Sequence, residues 1–156
     1  MISPELLRRY PFFADLSHDR LVSLSMIAQA TTYEVGETVF SQDEPATHLF
    51  LLLDGRVSLF VEFDSVASRA SITDIEKSEV FGWSALVEPY EYTATAECAR
   101  SSELISFDAL ELRQLMKADA QLDCLLMHRI SEVLASRLRS AYVELASVVL
   151  APVNTA

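Results

Sequence analysis

The chain has 156 residues, of which 51% are hydrophobic and 22% are charged. This length is typical of a single domain, and the composition favours a buried core over disorder. The 23 Asp and Glu residues outnumber the 12 Lys and Arg residues, which gives a net charge of -11. An acidic chain does not fit the proteins that bind nucleic acids by neutralising phosphates, and an anionic membrane surface repels it.

Cysteine content and hydropathy indicate the compartment. Cys98 and Cys124 are too few for a disulfide scaffold or for a zinc site of their own. Residues 1–9 carry no apolar run of the signal-peptide type, and no segment approaches the ~18 apolar residues of a membrane span. The sequence therefore predicts a reduced, cytoplasmic protein that makes no contact with a membrane.

Helix signals come first along the chain, within residues 3–30. Ser3 followed by Pro4 is typical of a helix start, and Pro11 ends that first helix. Ser17 is predicted to cap a second helix, because apolar residues follow it at helical spacing. We therefore expect two short helices before the first strand.

Short apolar segments separated by turn residues come next and predict eight β-strands. The Asp54-Gly55 pair stands between two such segments and is the strongest hairpin signal in the chain. Gly82 precedes the stretch 83–87, which is predicted to form one helical turn. Short strands without βαβ alternation favour a sandwich or a barrel. The predicted strands are 31–35, 38–40, 49–53, 56–63, 66–75, 79–81, 93–98 and 103–107.

Helical periodicity returns after the last predicted strand. It predicts a short amphipathic helix over 108–117 and a long helix over 119–150. At about 1.5 Å per residue the long helix would extend roughly 45 Å, which is more than a small barrel can cover. Its apolar stripe therefore predicts a homodimer through the same helix of a second copy. The predicted interface residues are Leu126, Ile130, Leu134, Leu138, Ala141, Leu145 and Val148.

Three local segments, in this order, carry a resemblance to a known family. They are Tyr-Glu-Val-Gly-Glu-Thr-Val-Phe at 33–40, the segment 48–57 around Asp54-Gly55, and Phe-Gly-Trp-Ser-Ala-Leu at 81–86 with Thr-Ala-Thr-Ala at 93–96. They are similar to the turn after the first strand, the central hairpin and the phosphate-binding cassette of one domain. That domain is the cyclic-nucleotide-binding domain of the Crp/Fnr family of bacterial regulators.

The resemblance implies a mainly β fold with flanking helices. It would be an eight-stranded β jelly roll, of the cupin-like double-stranded β-helix type, with N-terminal helices and a long C-terminal dimerisation helix. The chain would then divide into the jelly roll with its N-terminal helices at 1–118, the long helix at 119–150 and a tail at 151–156. Crp/Fnr regulators carry a helix-turn-helix domain after the long helix, and too few residues follow it here. The chain is therefore expected to contact no nucleic acid directly.

Two cassette positions depart from the family pattern. In members that bind cyclic nucleotides, a Glu directly after the glycine holds the ribose, and an Arg before the Thr/Ser-Ala pair holds the phosphate. Trp83 and Tyr92 stand at these positions. A phosphate buried without its charge partner costs about 3–5 kcal/mol, which disfavours a cyclic nucleotide as the ligand. The aromatic residues either fill the vacated cavity or line a site for a planar, apolar ligand. The predicted lining residues are Phe81, Gly82, Trp83, Ser84, Ala85, Tyr92, Thr93 and Tyr142.

The predicted function is a non-enzymatic, ligand-sensing or regulatory module that answers to a small-molecule effector or a protein partner. Two alternatives stay open: the sensor half of a Crp/Fnr transcription factor without its DNA-binding domain, and a dimerisation or protein-interaction domain with a filled pocket. No catalytic residue is predicted, because the chain lacks a Gly-x-Ser-x-Gly elbow. No metal is expected, because His18, His48 and His128 share no metal-ligand spacing.

Overall fold

Two four-stranded antiparallel sheets form the body of the computed structural model, which describes residues 1–64 and 68–150. The first sheet has the order β1 (Ala28–Tyr33), β8 (Ser102–Asp108), β3 (His48–Asp54) and β6 (Val80–Phe81). The second has the order β2 (Thr38–Phe40), β7 (Thr95–Cys98), β4 (Val57–Glu62) and β5 (Arg69–Ile75). The predicted fold class, a mainly β jelly roll with flanking helices, is confirmed.

Helices precede and follow this β-structure, and the predicted caps are present. Ser17 Oγ accepts a hydrogen bond from the backbone N–H of Arg20 at 3.4 Å. Asp108 caps the third helix by accepting from the N–H of Glu111 at 2.9 Å, a cap that the sequence analysis did not identify. The helices are α1 (Pro4–Arg8), α2 (His18–Ile27), α3 (Ala109–Ala118) and α4 (Ala120–Leu150).

The first strand begins earlier than predicted. Residues up to 30 were predicted to be helical, whereas β1 starts at Ala28, which lies opposite Phe107 in the ladder with β8. β1 pairs with β8 along its whole length, so its backbone hydrogen bonds depend on a strand that is distant in the sequence and that no local signal reveals. The start of the predicted strand 66–75 and the predicted tail 151–156 lie partly or wholly outside the described residues.

The hairpin predicted at Asp54-Gly55 is wrong in its pairing. A turn does occur there, but β3 pairs with β6 and β8, whereas β4 pairs with β5 and β7 in the other sheet. Gly55 has φ +108, and a Cβ on it would lie 2.3 Å from Ser102 Oγ. The turn therefore passes from one sheet to the other, close to the start of β8. Local turn residues signal a change of direction, whereas strand pairing depends on which strands meet across the core.

The core lies inside the β-structure and continues under the helices. The N-terminal part of α4 contributes Leu122, Leu126 and Ile130 to it, and all three are buried. From Leu138 onward, the described residues of α4 are exposed. At about 1.5 Å per residue the 31 residues of α4 extend roughly 46 Å, so its distal half projects beyond the sheets.

Candidate functional site

The segment that resembles the phosphate-binding cassette begins where β6 ends. Gly82 has φ +77, and a Cβ on it would lie 3.2 Å from both the His48 carbonyl oxygen and Phe50 Cδ2. Glycine is favoured here both by the left-handed backbone and by the close approach of β3. A 3₁₀ helix over Trp83–Leu86 comes directly after it, in agreement with the predicted helical turn.

The chain that leaves this short helix is attached to the loop between β2 and β3. The N–H of Ala46 donates to the Tyr90 carbonyl at 2.7 Å, and the N–H of Tyr92 donates to the Glu44 carbonyl at 2.9 Å. A third bond runs from the N–H of Asp43 to the Tyr92 carbonyl at 2.8 Å. These bonds fix the backbone of Tyr92 and thereby the direction of its side chain.

Arg113 of α3 contacts two residues of the cassette segment, Ala85 and Tyr90, and these contacts were not predicted from the sequence. Its Nη1 donates to the Ala85 carbonyl at 2.7 Å, and its guanidinium lies 4.0 Å from the centre of the Tyr90 ring. The carbonyl would otherwise be an unpaired acceptor at the end of a short helix. No local motif marks Arg113, because its partners belong to a distant part of the chain.

Tyr92 points into the core and is only 3% exposed. Its ring stacks on Phe40 with 3.8 Å between the ring centres. Its hydroxyl donates to the His48 carbonyl at 2.7 Å and accepts from the His48 N–H at 3.1 Å. Burial raises the pKa of Tyr92 above its ordinary value, and the hydrogen bond with the His48 backbone partly offsets this rise. Tyr92 is thus a neutral side chain whose hydroxyl both donates and accepts a hydrogen bond, and the resemblance predicts that it stands where the family pattern has arginine.

The space left at the cassette is a cavity of about 30 Å³. That volume holds one or two water molecules, whereas small-molecule pockets measure about 300–1,000 Å³. Six of the predicted lining residues do line it: Phe81, Gly82, Trp83, Ser84, Tyr92 and Thr93. The other lining residues were not predicted from the sequence; they are Phe40, Leu59, Val80, Ala94, Val133 and Arg137.

The structure does not bring the other two predicted lining residues into this cavity. Ala85 is buried in the 3₁₀ helix but is not among the residues that line the cavity. Tyr142 is 61% exposed on the distal half of α4, away from the cavity of its own protomer. The contribution of α4 comes instead from Val133 and Arg137, which are four positions apart and therefore share a helix face.

Arg137 is the one cation that lines the cassette cavity within the described residues. Its side chain is 23% exposed, and its Nη2 lies 3.9 Å from Glu79 Oε2, which is too long for a hydrogen bond. Burial lowers the pKa of Arg137 from its ordinary value, and the nearby Glu79 carboxylate partly opposes this effect. The signal in the sequence was an arginine on the same helix face as the buried Ile130 and the partly buried Val133.

The predicted interface residues fall into two groups. Leu126 and Ile130 are buried in the core of their own protomer, and Leu134 is partly buried against it. Leu138, Ala141, Leu145 and Val148 are exposed. A homodimer contact through this second group stays a prediction.

Metal ligands do not cluster in the described part of the chain. Residues 1–64 and 68–150 contain no group of three or more His, Cys, Asp or Glu side chains suited to hold a metal ion. Of the helices described, none combines the length and the apolar character that crossing a bilayer requires.

The fold and the cassette together define a class of protein: a two-sheet β jelly roll with a glycine-initiated short helix and a long C-terminal helix. The sequence profile of the family "Cyclic nucleotide-binding domain" matches residues 30–119. The chain therefore belongs to this family, and it is homologous to Crp-like regulators. Its described residues include no DNA-binding domain.

Solved structures agree with this family. A protein of Geobacter metallireducens assigned as a cyclic nucleotide-binding protein is 30% identical, with a TM-score of 0.81, over 88% of this chain and 99% of that one. The sensor domain of the transcriptional regulator DNR from Pseudomonas aeruginosa shares the fold at 22% identity, with a TM-score of 0.70, over 86% of this chain and 95% of that domain.

Two longer relatives are similar in sequence. A CRP-like cAMP-activated global transcriptional regulator of Mycobacterium tuberculosis is 24% identical over 149 residues, which are 96% of this chain and 64% of the regulator. A protein of Rhodopseudomonas palustris assigned as a potassium channel is 25% identical over 116 residues, which are 74% of this chain and 27% of that protein. The chain thus spans less than two thirds of the length of either relative.

Proposed function

We propose that this chain is a regulatory domain whose cassette is closed by its own aromatic side chains and holds no cyclic nucleotide. The observation that carries the proposal is the cavity of about 30 Å³ beside the buried, hydrogen-bonded Tyr92. Trp83 and Tyr92 occupy the positions at which nucleotide-binding members carry Glu and Arg. The domain is non-enzymatic, and it regulates its partner through the position of α4.

The cost of opening the cassette supports the proposal. A nucleotide would need the space of the Tyr92 ring, so the ring would have to leave the core. The two hydrogen bonds with His48 contribute about 2 kcal/mol together, at about 1 kcal/mol each. Exposing the ring adds about 2 kcal/mol. A cost of about 4 kcal/mol weakens binding roughly a thousandfold, which converts micromolar affinity into millimolar affinity.

Arg137 does not remove this cost. It supplies a cation beside the cassette that the sequence analysis had found missing, so charge alone would not exclude a phosphate. The small volume of the cavity does not depend on charge, since Tyr92 still fills the space. Arg137 and Val133 instead connect the cassette with α4. A shift of the cassette backbone would therefore be passed to α4 and along it to its distal half.

Isothermal titration calorimetry of the full chain with cyclic AMP and cyclic GMP tests the proposal. Native mass spectrometry first establishes that no ligand has co-purified. We expect no heat of binding at micromolar concentrations of either nucleotide. The double variant Trp83→Glu/Tyr92→Arg restores the family pattern and serves as the matched comparison, with circular dichroism as the check on its fold. Micromolar binding by the unmodified chain would refute closure of the cassette.

The exposed distal half of α4 supports a homodimer as the functional assembly of this domain. In the distal part of the predicted interface, the exposure of the large apolar residues ranges from 52% at Leu138 to 73% at Val148. These two and Leu145 recur at helical spacing on one face, as expected for a contact between parallel copies of one helix.

A second candidate function is the sensor part of a Crp-like transcription regulator. The match of 149 residues to 64% of the Mycobacterium tuberculosis regulator favours it. Sequencing the gene beyond the codon for Ala156 distinguishes the two candidates. A reading frame that continues into a helix-turn-helix domain supports the regulator, and a stop codon at that point excludes it.

A further inference from the structure

A larger cavity lies beside the cassette, between α4 and the turn that precedes β6. Its volume is about 380 Å³, within the range of small-molecule pockets, and it is partly open to solvent. Phe12, Val80 and Val133 give it apolar walls. It is therefore more than ten times as large as the cassette cavity and has both an entrance and an apolar surface.

Charged side chains surround these apolar walls. Three cations line the cavity, Lys77, Arg129 and Arg137, together with two carboxylates, Glu79 and Glu132. This cluster contains a quarter of the 12 Lys and Arg residues of a chain whose net charge is -11. A concentration of cations at one cavity of an acidic protein favours an anion over a neutral or cationic ligand.

Among the described residues, carboxylates form hydrogen-bonded ion pairs with only one of these cations, Arg129. Arg129 is paired with Asp15 and, at 3.1 Å, with Glu132. Glu79 accepts a hydrogen bond from the backbone N–H of Glu76 at 2.9 Å, so part of its acceptor capacity stabilises the turn before β6. Both acids therefore have partners other than the remaining two cations.

Arg137 and Lys77 keep positive charge available for a ligand. The nearest carboxylate to Arg137 is 3.9 Å away, and its guanidinium makes no hydrogen bond among the described residues. Lys77 forms no ion pair within residues 1–64 and 68–150. Arg56 Nε is the one buried side-chain nitrogen or oxygen without a hydrogen-bond partner among the described residues, so the guanidinium nitrogens of Arg137 reach solvent at this cavity. An anionic group that replaces this water would form charge-assisted hydrogen bonds with them.

We propose that this cavity binds a small anion with an apolar body. Its carboxylate or phosphate group would accept hydrogen bonds from Arg137 and Lys77, and its apolar part would pack on Phe12, Val80 and Val133. The site lies beside the cassette cavity, with which it shares Val80, Val133 and Arg137, and its own volume does not depend on whether the cassette is closed. Because α4 forms one wall, an occupant would bridge α4 and the turn before β6.

Octanoate is the probe for this site, and octanol is its neutral counterpart. Binding to the full chain is measured by calorimetry and by the fluorescence of Trp83, the one tryptophan of the chain. We expect octanoate to bind at least tenfold more tightly than octanol, since hydrogen bonds to charged groups are worth about a factor of ten or more. Octyl phosphate, measured in parallel, shows whether a carboxylate or a phosphate is the preferred head group.

Four variants locate the binding. Arg137→Gln should weaken octanoate binding about tenfold or more. Arg139→Gln removes the same charge from an exposed position of α4 and should change it less than about twofold. Ser136→Phe fills this cavity and should abolish binding, whereas Thr93→Phe blocks only the cassette and should leave it unchanged.

Several outcomes would overturn the proposal. Equal affinity for octanoate and octanol would show that the cations do not recognise the ligand. Unchanged binding by Arg137→Gln, or loss of binding in Thr93→Phe but not in Ser136→Phe, would place the probe elsewhere. Failure of octanoate and octyl phosphate to bind at all would also refute it. Cavity residues whose amide chemical shifts respond to protein concentration but not to octanoate would assign this surface to a second copy of the chain.

Discussion

Replacing Tyr92 with phenylalanine isolates the hydroxyl that joins the cassette to β3. The variant keeps the ring and its stacking on Phe40 and removes only the oxygen that bonds to both backbone groups of His48. Each hydrogen bond contributes about 1 kcal/mol net, so the free energy of unfolding should fall by about 2 kcal/mol. For a chain of this length, 1 kcal/mol corresponds to about 2–4 °C, so Tm should fall by about 4–8 °C.

Thermal unfolding followed by circular dichroism and by Trp83 fluorescence measures this change, at one fixed protein concentration because dimerisation would shift Tm. Tyr142→Phe is the matched control, since it removes the same hydroxyl from a side chain that is 61% exposed, and it should leave Tm unchanged within about 1 °C. If Tyr92→Phe behaved like this control, the hydroxyl would not hold the cassette to β3. The cost of opening the cassette would then fall from about 4 kcal/mol to about 2 kcal/mol.

Two further predictions concern the turn between the sheets and the assembly. Gly55→Ala should lower the free energy of unfolding by about 3 kcal/mol or more in urea titrations, because the new Cβ would meet Ser102 Oγ at 2.3 Å and the backbone has φ +108. Gly36→Ala, where φ is +86 and nothing lies within 4 Å, should cost only about 1–2 kcal/mol, and equal losses would contradict this account of the turn. Sedimentation should show a dimer for the unmodified chain and for Ser147→Glu on the opposite face of α4, and a monomer for Leu145→Glu. A monomeric unmodified chain would refute the proposed homodimer.

Local signals in the sequence were sufficient for most of the secondary structure. The cap at Ser17, the helical turn after Gly82 and the buried run in β3 each depend on residues within a few positions of one another. Capping, turn geometry and hydrophobic periodicity act over that range, so they are visible without a fold. The family could be recognised for the same reason, since its motifs are short and contiguous.

Contacts between distant segments were not visible in this way. The turn at Asp54-Gly55 was correctly located, but its strands belong to different sheets, because pairing is decided by the faces that meet in the core. Leu126 and Ile130 have the spacing of an interface stripe, yet they are buried in the protomer, since α4 first packs on the sheets and only then projects beyond them. Periodicity identifies an apolar face but not what covers it.

The sequence by itself determined the mainly β class, the family and the two unusual cassette residues, Trp83 and Tyr92. Only the tertiary structure decided that Tyr92 is hydrogen-bonded inside the core and that the cassette is reduced to about 30 Å³. It also decided that Arg137 lies between this cavity and a larger one. The physical reason is that volume, burial and charge pairing are properties of side chains brought together from β3, β6 and α4, and no single segment of the chain contains them.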